Sequence, residues 1–565
     1  MVVGLSSDPE HWNAAISSSS GVQSVTQSVY DSLLIDTSDG GVVPNLATSW
    51  EISDDATEYT FHLVENATWH DGEPFTSADV KCTAEENWKP FHSRNSVALA
   101  NLVEVQTPDD FTAVFVFSEP NAALLGSLGK YDGNIVADHV FCDGQPVDTH
   151  PNNTAIPIGT GPFMVENYVP GDRVEMVRNP NYWREGQPYL DELIYRIIPD
   201  PASRALAIEA GEVDFLVTFS VPNFSEVIRL GEIDGITVGD YGINTRLASG
   251  LHVAFNLNRE IPGDLAVRQA IAHSIDKAFL VENVMQGFGT AMEGPFTGSG
   301  WDTDDVVHTY DFDVEAANQL LDDAGYARGA DGNRFTLNFV YDAGRSQTSL
   351  VAEVFIAQMA ELGIGLEVDA LDRETSIDQI FIQHDYDVAI PGEFLGLGPD
   401  PSVGIRTYFH GDNIGEAPFN NGSGYNNEVV NEALDAAAGE IDPDARLELF
   451  KTAAEQITED LPMISLVAPQ RKTLYRDEFT NFTWADVTEV DLASVHLAPT
   501  GASPTAAGES GDPAPASPDA SAEPSGDGTT DEGSPLGLVA IVAIAAVAIA
   551  GIGYVLMRRR AENDA

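Results

Sequence analysis

Thr68-Trp69-His70-Asp71-Gly72-Glu73-Pro74-Phe75-Thr76-Ser77-Ala78-Asp79-Val80 is the stretch that decides the fold. Just before it, Tyr59, Phe61 and Leu63 alternate with polar residues, the period of a half-buried strand. His70-Asp71-Gly72 supplies a tight turn, because glycine takes positive φ without a steric penalty. Thr76 or Ser77 can cap the helix that follows, and Asp79 falls in its first turn, where negative charge is favourable. The stretch therefore predicts a strand end, a turn and a helix start.

Other segments fall into order around it. Val2-Val3-Gly4-Leu5 reads as an opening strand, followed by the loop Ser6-Ser7-Asp8-Pro9. Pro44-Asn45-Leu46-Ala47-Thr48-Ser49-Trp50 precedes the Tyr59 strand. Pro157-Ile158-Gly159-Thr160-Gly161-Pro162-Phe163 is a glycine-rich turn, and Asn179-Pro180-Asn181-Tyr182-Trp183 and Glu209-Ala210-Gly211-Glu212-Val213-Asp214 follow. Phe255-Asn256-Leu257-Asn258 and Val267-Arg268-Gln269-Ala270-Ile271-Ala272 complete the series. In this order the segments resemble the extracytoplasmic peptide-binding proteins, the solute-binding components of ABC-type importers (dipeptide, oligopeptide and nickel-binding type, family 5).

The resemblance spans most of residues 1–498. It implies an α/β fold, a two-lobed periplasmic-binding-protein type II architecture with an extra inserted lobe. The first lobe is expected at 1–42, 155–248 and 479–498, the inserted lobe at 43–154 and the third at 249–478. In the third, Phe335–Val340 and Ile364–Val368 read as strands, and Leu350–Leu362 and Ile377–Gln383 as helices, an alternation that suggests helices packed on a sheet. Crossovers are expected near Val253–Asn256 and Tyr475–Asn481, with Val253, Phe255 and Asn256 as the hinge. The resemblance further implies lobe closure on a peptide or other small solute and delivery to an ABC permease with its ATPase subunits. A monomer is expected, without enzymatic activity, cofactor or metal.

Composition sets limits on partners. Lys and Arg total 27 against 89 Asp and Glu, a net charge of −62. Phosphate backbones would be repelled, so no nucleic-acid partner is expected. Self-repulsion at this charge is relieved by salt, which screens within about 10 Å at 0.1 M and about 3 Å at 1 M. The acidic, lysine-poor balance suits a salt-adapted source or a GC-rich codon bias. Cys82 and Cys142 are the only cysteines, and they stand either as a disulfide or as two buried thiols.

Residues 499–535 shift to Pro, Ala, Ser, Gly and acidic residues, too few of them apolar to offset ordering entropy, and read as a disordered linker. Leu536–Met557 is an uncharged run of 22 residues, about 33 Å as a helix, and reads as a transmembrane span. Arg558-Arg559-Arg560 begins the tail 558–565 and predicts a cytoplasmic C-terminus, which places residues 1–535 outside the cell on a single-pass anchor. No export signal is visible before the first strand, and the chain is read as starting late.

No residue pattern calls for covalent chemistry. Gly159-Thr160-Gly161 lacks the Gly-Lys-Ser/Thr ending of a phosphate loop and reads as a structural turn. His70-Asp71 has no second histidine nearby and reads as scaffold rather than a metal pair or dyad. The ligand is expected at Gly392-Glu393-Phe394-Leu395-Gly396-Leu397-Gly398-Pro399-Asp400-Pro401, a segment that resembles the family's third-lobe ligand loop. Leu397 stands where peptide-binding members often carry the aspartate that meets a peptide ammonium, and Phe394 where they often carry Trp. Because an unpaired buried ammonium is costly, either Glu393 or Asp400 takes that role or the ligand has no free N-terminus there. Phe394, Leu395 and Leu397 suit an apolar or sugar-stacking wall, or simply pack the loop; Gly396, Ser7 and Tyr30 complete the candidate contacts. An oligosaccharide, a nickel complex or a sensory role are the alternatives to peptide import.

Overall fold

The computed structural model describes residues 1–498 apart from 18, 38–40, 218–219, 241–249, 298–300, 395–399, 416–418, 471 and 483–489. The thirteen-residue stretch forms the turn and helix that its sequence predicts. Gly72 has φ +95°, and its amide donates to the Trp69 carbonyl at 2.8 Å. Thr76 caps the Ser77–Cys82 helix, and the Asp79 carboxylate accepts the Thr76 amide at 2.8 Å, which closes a capping box. Trp69 and Phe75 are 2 % and 1 % exposed, so the turn is anchored from beneath.

His70 ties this turn to the glycine-rich one. Its Nδ1 accepts the Gly159 amide at 3.2 Å, its Nε2 lies 3.0 Å from the Gly161 carbonyl, and its own amide donates to the Gly159 carbonyl at 2.8 Å. This pattern requires a neutral imidazole with the proton on Nε2. A Cβ on Gly159 would stand 1.8 Å from the Val29 carbonyl oxygen, and one on Gly161 would stand 3.0 Å from that of Ser28. Both motifs are therefore scaffold. The Gly-Thr-Gly segment is glycine-rich because the Ser28 and Val29 backbone presses against it rather than because it cradles a phosphate.

Three larger sheets organise the described residues. The first runs Ile236–Asp240, Lys472–Arg476, Phe215–Leu216, Val2–Leu5, Glu192–Ile197, Arg173–Arg178, Phe163–Val169. Val2–Leu5 is central and parallel to both neighbours. The second runs Gly289–Ala291, Met463–Pro469, Gly250–Phe255, Val388–Ile390, Phe335–Asp342, Ile364–Leu371, with Glu393–Phe394 also paired to Gly250–Phe255. An antiparallel sheet of four, Ala47–Ile52, Glu58–Leu63, Thr112–Phe117 and Leu102–Asp109, lies within the inserted segment.

Side-chain alternation shows that the second sheet is covered on both faces. Val253, Phe255, Phe339, Val388 and Ile390 belong to one core, while Ala254, Val340 and Ala389 belong to another. The four-stranded sheet has no core of its own: Tyr59, Phe61 and Phe115 share one cluster with Val3, Leu5 and Tyr195 of the first sheet. Cys82 and Cys142 are bridged, with Cα atoms 6.0 Å apart, which joins two helices of the inserted segment.

Several boundaries differ from expectation. Lys472–Arg476 pairs with Phe215–Leu216 and Ile236–Asp240, so it belongs to the first sheet and not to a third lobe running to 478. The chain passes between sheets from Asp240 to Gly250 and from Pro469 to Lys472. Val253 and Phe255 lie inside a fully buried strand paired on both sides, and Asn256 is pinned to the His384 and Tyr386 carbonyls at 3.0 and 3.2 Å. These three residues thus brace the second sheet. The expected helix Ile377–Gln383 is an α-turn, Arg373–Ile377, running into a π-helix, Asp378–Ile382.

The single-pass membrane placement needs correction. Among the described residues no helix is long and apolar enough to cross a membrane. The long helix Pro443–Asp460 carries charges along its length, including Arg446, Lys451 and Glu455. The linker 499–535, the run Leu536–Met557 and the tail lie outside the described residues. An uncharged run meets the length condition for a span but does not itself establish a spanning helix, so the anchored topology with a cytoplasmic C-terminus is not supported.

Candidate functional site

Three adjacent parallel strands of the second sheet end together. Phe335–Asp342 is parallel to both Ile364–Leu371 and Val388–Ile390. Crevices outside the carboxyl ends of such strands are where open α/β sheets bind ligands. The segments that leave these three ends bring four charged residues into one cluster: Asp342, Arg345, Arg373 and Glu393.

Asp342 is the buried centre of the cluster, 0 % exposed. One oxygen accepts the Gly344 amide at 2.9 Å, which fixes the turn after the strand. The other accepts from Arg373 Nη1 at 3.1 Å and lies 3.9 Å from Arg345 Nε. Arg345 Nη1 is also 4.0 Å from Glu393 Oε2. The two guanidinium side chains remain 39 % and 38 % exposed, so each can still meet a ligand, while Glu393 is 13 % exposed. Arg373 also lies over the Phe419 ring, 5.6 Å from its centre, a cation–π contact that holds its planar fork.

Arg345 has a second role. It is the N-cap residue of the Ser346–Leu362 helix, and its side chain makes no capping hydrogen bond. The first backbone amides of that helix thus carry the partial positive charge of a helix N-terminus beside two arginines. In the first turn, the Thr348 hydroxyl is fully buried and has no hydrogen-bond partner. Together these groups can take an anionic group, and Glu393 can take a cationic one.

The structure distributes the sequence candidates unevenly. Glu393 joins the cluster. The Phe394 backbone pairs with Gly250. Leu395, Gly396 and Leu397 lie outside the described residues. Asp400 is occupied elsewhere: Arg446 Nη1 and Nη2 donate to its two oxygens at 2.7 Å each, and it caps the Pro401–Phe409 helix through the Ser402 amide at 2.9 Å. Its carboxylate has structural work, which leaves Glu393 of the two candidates for a ligand ammonium. Tyr30 is 0 % exposed, and burial pushes its hydroxyl well up from the ordinary phenol range, so it is a core residue. Ser7 is exposed at the carboxyl end of the Val2–Leu5 strand, the first-sheet counterpart of the Asp342 position.

Sequence reasoning missed Arg345 and Arg373. The available signal was position: each stands five residues beyond the end of a predicted strand, near where ligand-binding groups of α/β sheets gather.

Known proteins share this fold. The family profile described as bacterial extracellular solute-binding proteins, family 5, matches residues 41–416. A putative ABC transporter peptide-binding protein of Brucella abortus is 31 % identical over 460 residues, covering 78 % of this chain and 82 % of its own. Heme-binding protein A of Haemophilus influenzae is 27 % identical over 448 residues, covering 75 % and 78 %. The oligopeptide-binding protein AppA of Bacillus subtilis, solved with a nonapeptide, superposes with a TM-score of 0.72 at 21 % identity, over 88 % of this chain and 99 % of that one.

Proposed function

The chain belongs to the bacterial extracellular solute-binding proteins of family 5, and from that premise we propose that its solute is a peptide, captured between the two large sheets and passed to an ABC permease whose ATPase subunits supply the energy. No covalent step is assigned to the chain itself. The observation that carries the reading is the convergence of Arg345, Arg373 and Glu393 around Asp342 at one sheet edge. A free peptide is a zwitterion, and this edge offers partners for both of its ends. Arginine forks match a carboxylate with two parallel bonds, and the uncapped helix N-terminus adds to the same field. Glu393 is the partner for an ammonium, since Asp400 is held by Arg446.

The residues outside both sheets fit this role as support. The four-stranded unit shares its core with the first sheet and so moves with it.

Thermal unfolding with a peptide collection tests the assignment. A peptide at 100 times its Kd adds about 2.7 kcal/mol of stability, a shift of a few degrees in Tm. A heme-binding relative supports a second reading, in which the solute is heme or another non-peptide such as an oligosaccharide or a nickel complex. If only one of these raises the Tm, the peptide assignment is lost.

A further inference from the structure

Away from the charged cluster, the inserted segment touches the second-sheet unit directly. The Ala122 amide donates to the Ala438 carbonyl at 2.9 Å. Beside it, a Cβ on Gly439 would lie 3.2 Å from the Pro120 Cβ, so the absence of a side chain there allows the two backbones to meet. Ala122 and Ala438 are both part-exposed, so the contact sits at a rim and not in a core.

Both sides of the contact are braced. Asn121 donates from its side chain to the Ala98 carbonyl at 2.7 Å and from its amide to the Ala56 carbonyl at 3.1 Å, and its own carbonyl accepts the Tyr59 hydroxyl. The proline–asparagine–alanine segment is thus fixed to the four-stranded sheet. Opposite, Ala438 and Gly439 end the Glu428–Gly439 helix, and Arg446 Nε donates to the neighbouring Ala437 carbonyl at 2.7 Å. The same Arg446 holds Asp400, the residue that follows 395–399. Burial pushes the Tyr59 hydroxyl up to about 12, and Arg446 and Asp400 act on it across the contact in opposite directions.

We propose that Pro120–Ala122 and Ala438–Gly439 form a latch that is made when the solute cleft is shut and broken when it opens, and that Arg446 is the positioning residue linking this latch to Asp400. The inference rests on the solute-capture reading above. One exposed backbone hydrogen bond and one glycine–proline contact contribute little to stability, so the latch can make and break without unfolding either side. The inserted segment then reports closure and biases it, because any contact made only in the shut state shifts the population toward that state.

Electron–electron distances between two spin labels test the latch without added solute. Glu51→Cys and Asp412→Cys place labels on side chains that are 80 % and 82 % exposed, one on each side of the contact. The native cysteines are bridged and leave no competing thiol. The labelled full chain should show a short-distance population, and Gly439→Leu should deplete it by about threefold or more while the Tm stays within a few degrees. Gly439→Glu, which sets a carboxylate beside Glu440, should act in the same direction. A distribution that neither substitution moves, or a depletion that only follows a fall in Tm, overturns the latch. Because no solute is present, failure of the peptide reading in the melting screen leaves this outcome unaffected.

Discussion

Arg446 grips Asp400 through two hydrogen bonds of 2.7 Å, with both side chains less than a tenth exposed. Breaking such a pair leaves an unpaired buried charge, which costs about 3–5 kcal/mol. Arg446→Met should therefore lower the unfolding free energy by that amount in urea titrations. Asp400→Asn should cost a comparable amount, because it leaves the Arg446 guanidinium, which cannot shed its proton, buried without an opposite charge. A change under about 1 kcal/mol in Arg446→Met would show that the pair is solvated, and would return Asp400 to the ligand candidates.

Gly159→Ala should be among the most damaging single substitutions in the chain. The new methyl would fall 1.8 Å from the Val29 oxygen, a backbone atom that cannot swing away. Overpacking of this kind costs about 1–3 kcal/mol and sometimes more, and here it would also pull His70 from the turn it clasps. Circular dichroism melts check this; an unchanged Tm would mean that the two motifs are not packed as described.

Acid should weaken the inserted segment through its buried histidines. Burial is the largest cause that pushes His92 down to about 4, with Asp132 raising it and Arg94 lowering it, and burial likewise lowers His70. A folded-state value below the unfolded value of about 6.5 means that the unfolded chain binds more protons in between. Stability is thus full above about pH 6.5 and is lost as pH falls toward 4. His92→Gln should start less stable at pH 7.5 and show a flatter Tm-against-pH curve over this window. A curve parallel to that of the wild type removes His92 from the account.

The Cys82–Cys142 bridge closes a loop across a sequence separation of 60. On the chain-entropy picture such a crosslink stabilises by about 4 kcal/mol. Cys82→Ser with Cys142→Ser should shift the urea midpoint accordingly while leaving solute binding intact, because the bridge lies away from the charged cluster. Equal midpoints for the two proteins would show that the bridge does not constrain the unfolded chain.

Local chemistry was legible in the sequence wherever a short pattern has one physical solution. Thr76, Gly72 and Trp69 occupy the cap, turn and anchor that their order predicts. The Ser346–Leu362 helix stops at Gly363, which takes φ +74° as a C-terminal glycine should. Its expected start at Leu350 falls inside the helix, because Ser346-Gln347-Thr348 carries no apolar period. Sheet membership was less accessible. Lys472–Arg476 follows Met463–Pro469 closely yet joins the other sheet, and adjacency in sequence cannot reveal that exchange. The site was least legible. Asp400 and Arg446 are 46 residues apart, so nothing near Asp400 announces that its carboxylate is taken. Arg345 and Arg373 resemble any surface arginines until the strand ends bring them to the same aspartate.

Isothermal titration of the purified chain with free peptides, their C-terminal amides and an oligosaccharide and heme panel tests the central claim most directly. At least one free peptide should bind saturably, and its amide should bind about 10- to 100-fold more weakly, the worth of a charge-assisted bond to an arginine. Arg345→Ala with Arg373→Ala should remove that difference between acid and amide, measured well below a Tm that falls because the Asp342 carboxylate is left buried without an opposite charge. Saturable binding of heme or a sugar with no response to any peptide, or a peptide whose affinity ignores both its carboxylate and the two arginines, would contradict the account.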